Sequence, residues 1–209
     1  MKKQGLLIVI SGPSGAGKGT ICKELLKDGD LFLSVSITTR QPRQGEVEGE
    51  SYYFYSKKDF QRKIEENDFL EYAEVYGNFY GTPKSKVIER LDKGEDVILE
   101  IDIQGALKVK ENFEEGVFIF ILPPSMEELK NRIIKRGSET PESLMTRFKS
   151  AYKEINYLSK YNYAVINDTV EEAVNKIRNI IAAEKCRVDR IKENFLDSKE
   201  GIIHEQLYD

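Results

Sequence analysis

Residues 6–20, LLIVISGPSGAGKGT, decide the fold. They begin with an unbroken apolar run, Leu6 to Ile10, which is typical of a short strand buried on both faces. Three glycines follow within six positions, and after Lys18 apolar residues recur at the spacing of one helix face. This combination predicts a phosphate cradle, because the turn directs backbone N–H groups inward while the helix N-terminus and Lys18 add positive charge.

The spacing of Gly12, Gly17 and Lys18 fits the P-loop pattern with one departure. Gly19 stands where most P-loops carry Ser or Thr, and Thr20 follows it. The pattern therefore leaves open whether Thr20 holds Mg2+ directly or only through water. The loop residues predicted to bind a nucleoside triphosphate are Gly12, Pro13, Ser14, Gly15, Ala16, Gly17, Lys18, Gly19 and Thr20.

Composition argues against several classes of protein. The 209 residues include 36 Asp and Glu against 32 Lys and Arg, and this net charge of −4 argues against a general nucleic-acid binder. We find no signal peptide and no apolar stretch of membrane-spanning length, and therefore expect a cytoplasmic protein with no membrane partner. Cys22 and Cys186 are expected to be reduced, and the single histidine, His204, excludes a His-based metal site.

The order of the predicted elements indicates an α/β fold with an insertion. Alternating strand and helix patterns predict a central parallel sheet flanked by helices. Between about residues 35 and 82 the alternation is interrupted by short, mostly antiparallel strands. Within this region, Leu33, Val35 and Ile37 predict one half-buried strand, and Thr82 before Pro83 predicts a helix N-cap.

Two arginines flank a proline in the predicted loop at the start of the insertion. Arg40 and Arg43 suit a phosphate group, because a guanidinium offers two parallel charged hydrogen bonds. Tyr52 and Tyr80 would each add a hydroxyl donor. The alternative is a solvated basic loop, which the acidic composition and the nearby aromatic residues disfavour.

Glu71 alternates with Phe69 and Ala73 and is predicted to lie on the apolar side of a strand. A carboxylate there is costly unless it is paired. Guanine offers two donors on one edge, N1–H and the 2-amino group, whereas adenine presents an acceptor at N1 and would leave the carboxylate unpaired. Ser36 and Thr82 would satisfy the rest of the polar edge. The alternative for Glu71 is an exposed strand charge.

Glu100 and Asp102 end the predicted Val97 strand at alternate positions and so share one side. That strand is expected to neighbour the P-loop strand, with its end near the phosphates. One acid would hold Mg2+ through water and the other would reach the acceptor nucleoside. The alternative is a structural cap of the strand end.

Three arginines surround a polar segment at 137–141. Arg132 and Arg136 lie four apart on one predicted helix face, and Arg147 follows the segment. Carried by a closing lid, they would stabilise the charge of a moving phosphoryl group and exclude water. The alternative is a solvated helix face.

Five segments, in this order, resemble guanylate kinase, the nucleoside monophosphate kinase specific for GMP: GPSGAGKGT, SVSITTRQPRQGEVEGESYYF, FLEYAEVYGNFYGTP, ILEIDIQGA and IFILPPSMEELKNRIIKRG. The resemblance covers about residues 5–185. It implies the reaction ATP + GMP ⇌ ADP + GDP with Mg2+, in purine nucleotide metabolism and GMP recycling. It implies a core at 1–34, 83–125 and 149–190, a GMP-binding subdomain at 35–82, a lid at 126–148 and a C-terminal helix or tail at 191–209.

The resemblance also implies roles for the matching residues. The GMP-binding set is Ser36, Arg40, Arg43, Tyr52, Glu71, Tyr80, Thr82 and Asp102. The catalytic set is Lys18, Arg40, Arg132, Arg136 and Arg147. Asn167, in the segment VIND, corresponds to the adenine side of ATP, and Thr20 and Glu100 are the candidates for Mg2+.

Two other functions stay open from the sequence. A scaffold domain of the same shape would bind phosphorylated partners without catalysis, but it would be expected to lack the P-loop lysine and to sit beside other modules. A P-loop kinase could use another small acceptor.

Beyond Lys185 the apolar positions thin out, which predicts a helix lying on the body or on a partner copy in a homo-oligomer.

Overall fold

The computed structural model describes residues 4–43, 45–75, 77–135 and 141–191, excepting the side chains of 135 and 141–147. The strands of this part are Leu7–Ser11 (β1), Leu31–Leu33 (β2), Ile37–Thr38 (β3), Tyr53–Phe54 (β4), Phe69–Val75 (β5), Asn78–Pro83 (β6), Asp96–Glu100 (β7), Val117–Leu122 (β8) and Tyr163–Ile166 (β9). The helices are Lys18–Leu25 (α1), Lys57–Glu65 (α2), Lys84–Asp92 (α3), Ile103–Asn112 (α4), Met126–Lys135 (α5), Pro141–Ile155 (α6) and Val170–Glu184 (α7). None of the helices described is both long and apolar enough to cross a membrane.

The larger sheet is parallel throughout, with strand order β2-β7-β1-β8-β9. Alternate residues of the central strand β1 face opposite sides. Ile8 and Ile10 pack with residues of α1 and α7, whereas Leu7 and Val9 pack with residues of α3 and α4. Both faces are thus covered by helices, which explains the unbroken apolar run and confirms the predicted α/β fold with a central parallel sheet.

A smaller sheet is formed within the predicted insertion, with strand order β4-β3-β6-β5. Strand β6 runs antiparallel to β3 and β5, and β4 runs parallel to β3. Helix α2 covers this sheet through Phe60, whose ring centroid lies 4.5 Å from that of Phe69 and 5.4 Å from that of Phe79. The insertion thus has an aromatic core of its own, although its division from the main domain stays a prediction.

Two local predictions were wrong. The single strand predicted through Leu33, Val35 and Ile37 is two strands in different sheets, because the chain crosses from β2 to β3 at these residues. Thr82 does not cap a helix. It belongs to β6, and the N-cap of α3 is Pro83. The Thr82 hydroxyl instead donates a hydrogen bond to Glu71, so a tertiary contact replaces the expected cap.

The segment after α7 begins against the body of the chain. Arg190 Nη2 donates to the carbonyl oxygen of Glu115 at 2.6 Å and to Glu184 Oε2 at 3.1 Å. The segment that leads into the predicted C-terminal helix therefore contacts the chain's own surface. Residues 192–209 of the predicted tail, with His204, lie outside the described residues.

The aromatic core predicts a large difference between two substitutions. Phe60 is 1% exposed, so Phe60→Ala should lower the free energy of unfolding by about 3–5 kcal/mol, because it leaves a cavity between two rings. Tyr157 is 45% exposed, and Tyr157→Ala should change it by less than about 0.5 kcal/mol. Urea denaturation followed by circular dichroism measures both, and equal losses would contradict this assignment of the core.

Candidate active site

The loop between β1 and α1 is shaped by three glycines whose backbone angles other residues rarely adopt. Gly12, Gly15 and Gly17 have φ angles of 142°, 88° and 94°, where side chains are strained. A Cβ at Gly12 would also lie 2.4 Å from the carbonyl oxygen of Ile121. The loop lines a cavity of about 210 Å³, at the place where the sequence predicts a phosphate cradle.

Lys18, the first residue of α1, lies over this loop. Its Nζ donates to the carbonyl oxygens of Gly12 at 2.6 Å and Pro13 at 3.2 Å, and the residue lines the same cavity. The Lys18 ammonium group is therefore held beside the N-terminus of α1. The charge of the ammonium group and the partial positive charge of the helix end both favour an anion there.

Glu71 is a buried carboxylate, 8% exposed, at an irregularity in the pairing of β5 with β6. Its Oε1 accepts the Thr82 hydroxyl at 2.8 Å. Burial raises the pKa of Glu71 from 4.5 to about 7, opposed by the Thr82 hydrogen bond, and the negative charge of Asp102 raises it further. Glycine at position 105 leaves room for the Glu71 carboxylate, because a Cβ there would lie 2.8 Å from Glu71 Oε2.

A second cavity, of about 190 Å³, brings together many of the predicted acceptor residues. It shares Glu100 and Asp102 with the cavity at the phosphate loop, so the two lie side by side. Two sheets thus contribute to one cleft. The lining residues of this second cavity that the sequence singled out are Ser36, Tyr52, Glu71, Tyr80, Glu100 and Asp102.

Arg40 is held by a carboxylate that sequence reasoning missed. Glu46 accepts from Arg40 Nη1 at 2.9 Å and from Arg40 Nη2 at 2.8 Å, and also from the backbone N–H of Arg43 at 2.7 Å. This pairing lowers the pKa of Glu46. The Arg40 guanidinium also lies 5.4 Å from the ring centroid of Tyr52. The sequence offered one signal for this pair, since Glu46 follows Arg40 by six residues in the same short loop.

Of the predicted phosphate-binding arginines, Arg43 is placed differently from Arg40. Its side chain is exposed, whereas that of Arg40 is largely covered, and neither arginine is among the described residues that line the cavity. Its backbone closes the loop onto Glu46. The structure therefore places Arg40 against Tyr52, but brings neither arginine to the described wall of the cavity.

The two acids at the end of β7 have different surroundings. Asp102 caps α4, where its Oδ1 accepts from the N–H of Gly105 at 2.8 Å. The Glu100 carboxylate faces the phosphate loop, since a Cβ at Gly19 would lie 3.3 Å from its Oε1. Thr20, in contrast, is exposed and does not line the described cavity.

The described residues contain no group of three metal-ligating side chains. Mg2+ does not need one, because it is commonly held by one or two carboxylates, substrate phosphates and water. Glu100 and Asp102 line the phosphate-loop cavity and supply that chemistry. The donor set therefore fits Mg2+ brought with a nucleotide.

The three predicted lid arginines are described unequally. Arg132, on α5, donates from Nε to Glu128 Oε1 at 2.8 Å and from Nη2 to the carbonyl oxygen of Asn167 at 3.1 Å. Arg136 lies outside the described residues, and only the backbone of Arg147, in α6, is described. Arg132 thus contacts the segment after β9, beside the phosphate loop.

Asn167 is buried, 3% exposed, and contacts the phosphate loop directly. Its Nδ2 donates to the carbonyl oxygen of Ala16 at 2.8 Å. The same atom would lie 2.3 Å from a Cβ at Gly17, which is a further reason for glycine at that position.

Comparison with known proteins supports the same interpretation. The guanylate kinase family model matches residues 4–184. A guanylate kinase of Clostridium tetani is 78% identical over 207 residues, covering 99% of this chain and 100% of its own length. One from Clostridium acetobutylicum is 76% identical over 209 residues, covering 100% of both chains. The crystal structure of guanylate kinase from Anaplasma phagocytophilum has a TM-score of 0.78 at 38% identity, covering 95% of this chain and 97% of that one.

The family model spans most of the chain, and the Clostridium relatives match it over nearly its whole length. The glycine loop and Lys18 line one cavity, and the buried carboxylate of Glu71 lines the cavity that adjoins it. This chain belongs to the guanylate kinase family.

Proposed function

We propose that this chain transfers the γ-phosphoryl group of ATP to GMP, giving ADP and GDP. The observation that carries the proposal is the buried carboxylate of Glu71, which lines a cavity adjoining that of the phosphate loop. Membership of the guanylate kinase family supports both substrates. An assay with GMP, AMP, dTMP and UMP in turn tests the acceptor, and activity with AMP, dTMP or UMP in place of GMP would contradict it.

Guanine recognition is assigned to Glu71, with Ser36, Thr82 and Asp102 completing the polar edge. Ionised Glu71 would accept from N1–H and the 2-amino group, and Thr82 already donates to one of its oxygens. The burial that raises its pKa would make an unpaired ionised state costly, so a base lacking these donors is rejected.

The phosphate of GMP is assigned to Arg40, Arg43, Tyr52 and Tyr80. The bidentate contact with Glu46 takes up one edge of the Arg40 guanidinium and so orients the group beside Tyr52. The exposed side chain of Arg43 would reach this phosphate only by moving towards it.

The phosphates of ATP are assigned to the glycine loop and Lys18. The attacking oxygen of GMP is already anionic, so the reaction needs alignment and charge neutralisation more than a general base. Arg132, Arg136 and Arg147 are proposed to approach the transferred group when the lid closes, and to exclude water.

Mg2+ is proposed as the divalent ion that accompanies ATP. Glu100 would hold its water ligands, and Asp102 lies beside it in the cavity. Direct ligation by Thr20 has less support, because that side chain is exposed. When bound, the ion would neutralise charge on the phosphate oxygens.

The cytoplasm is our proposed location. Contact between copies through the C-terminal helix also stays a proposal. A catalytically inactive scaffold is disfavoured, because Lys18 is present and contacts the phosphate loop.

Lys18→Met should lower kcat/KM by at least about 100-fold, because it removes a full charge from the site of phosphoryl transfer. The apolar stem is kept, so the thermal unfolding temperature should stay close to that of the wild type. The coupled assay with ATP and GMP measures turnover. Lys23→Met on the same helix is the control, since Lys23 is exposed. Equal activity of the two variants would contradict the role of Lys18.

Glu71→Gln should weaken GMP by about 5–150-fold, the effect of about 1–3 kcal/mol for an unsatisfied buried partner. The KM for ATP should not change, because the phosphate loop is untouched. Glu74→Gln, on the exposed side of the same strand, should bind GMP like the wild type. Unchanged GMP affinity in Glu71→Gln would make the guanine assignment wrong.

Burial also gives Glu71 a pH signature. Its pKa is about 7 in the folded protein against an ordinary 4.5, so the folded state binds more protons than the unfolded state between these values. The free energy of unfolding of the ligand-free protein should therefore fall as pH rises from 5 to 8, by on the order of 1–3 kcal/mol from this group. Urea denaturation across this range should find the same slope in Glu74→Gln and a shallower one in Glu71→Gln. Equal slopes in all three proteins would contradict the assignment.

A further inference from the structure

A buried amide holds the phosphate loop through a backbone carbonyl. Asn167 directly follows β9, and its backbone N–H donates to the carbonyl oxygen of Leu122 at 2.8 Å, which continues the pairing of β9 with β8. Its side chain then reaches the carbonyl oxygen of Ala16 at 2.8 Å. The backbone of Asn167 is thus fixed by the sheet, and its amide is aimed at one peptide group of the loop.

The geometry of that peptide group gives the contact a functional consequence. The bond between Ala16 and Gly17 is trans, so the Ala16 carbonyl and the Gly17 N–H point in opposite directions. Asn167 holds the carbonyl on one side. The N–H is therefore directed to the other side, and Gly17 lines the phosphate-loop cavity.

We propose that Asn167 is a positioning residue of the phosphate loop, which presents the Gly17 N–H to the phosphates of the donor nucleotide. This inference rests on the proposed function in taking a nucleoside triphosphate as the donor. It differs from the adenine-side role expected from the sequence, because the contact is with the loop backbone.

Helix α5 reinforces this arrangement. Arg132 Nη2 donates to the Asn167 carbonyl oxygen at 3.1 Å, while its Nε is held by Glu128 at 2.8 Å. Asn167 therefore makes three hydrogen bonds: its N–H to Leu122, its carbonyl to Arg132 and its side chain to Ala16. A side chain with so few alternative positions is suited to hold a loop that must not move when phosphate binds.

The two roles for Asn167 predict different dependence on the base. A residue that contacts adenine affects only donors that carry adenine. A residue that positions the loop affects every ligand that carries the phosphate chain, including one without a base. Binding of the acceptor should be unaffected, because Asn167 is absent from the described lining of the Glu71 cavity.

The test compares Asn167→Ala and Asn167→Asp with Asn179→Ala and Asn179→Asp, which change an exposed asparagine on α7. Calorimetry on the full chain measures binding of ATP, inosine triphosphate and inorganic tripolyphosphate, each with Mg2+, and of GMP. Both Asn167 variants should weaken all three phosphate ligands by the same factor, about five- to fiftyfold. GMP affinity should stay within about twofold of the wild type, as should all affinities of the Asn179 variants.

Weakening of ATP alone would overturn the proposal in favour of an adenine contact, and unchanged affinity for all three phosphate ligands would overturn it as well. Loss of GMP binding in Asn167→Asp would indicate a folding defect, and the uncharged Asn167→Ala then decides. These measurements need no turnover. Failure of the proposed function would be seen separately, as a wild type that binds tripolyphosphate but does not phosphorylate GMP.

Discussion

The parallel pairing of β1 with its two neighbours is the constraint on which the site depends. In this register Ile10 lies beside Glu100 on β7, and Ser11 lies beside Phe120 on β8. All carboxyl ends of the sheet therefore meet at one edge, where β1 continues into the glycine loop. Asn167 follows β9 at the same edge. The backbone pairing of the strands thus brings an acid, an amide and the glycine loop to one edge of the sheet.

The polar and charged groups of the cleft differ in how completely they are satisfied. Arg40 and Glu46 satisfy each other, and the amide of Asn167 has its acceptor in the loop. Glu71 has the Thr82 hydroxyl on one oxygen, while burial and Asp102 both oppose its ionisation. The acceptor half therefore contains a carboxylate that gains from a ligand with two donors, as guanine has. Stability and specificity act against each other at this one residue.

Much of the fold could be predicted because the local signals agreed with the tertiary structure. The apolar run before Gly12 is buried on both faces, and the apolar side of β5 carries Glu71 inward as expected. The local signals predicted the wrong structure where one segment contributes strands to two sheets. Residues 33–38 have strand periodicity throughout, but the chain changes sheet between Leu33 and Ile37. Glu46 was missed because pairing with Arg40 depends on how the loop folds back.

By itself, the sequence determined the strand–loop–helix unit, the central parallel sheet and the residue types of a phosphate site, because these follow from periodicity and from glycine spacing within a few residues. Only the tertiary structure decided which side chains meet. Thr82 satisfies Glu71 across two strands instead of capping a helix, and Asn167 contacts Ala16 across 151 positions of the sequence. Such contacts join positions distant in sequence, and their partners are selected by packing and burial, which no local pattern encodes.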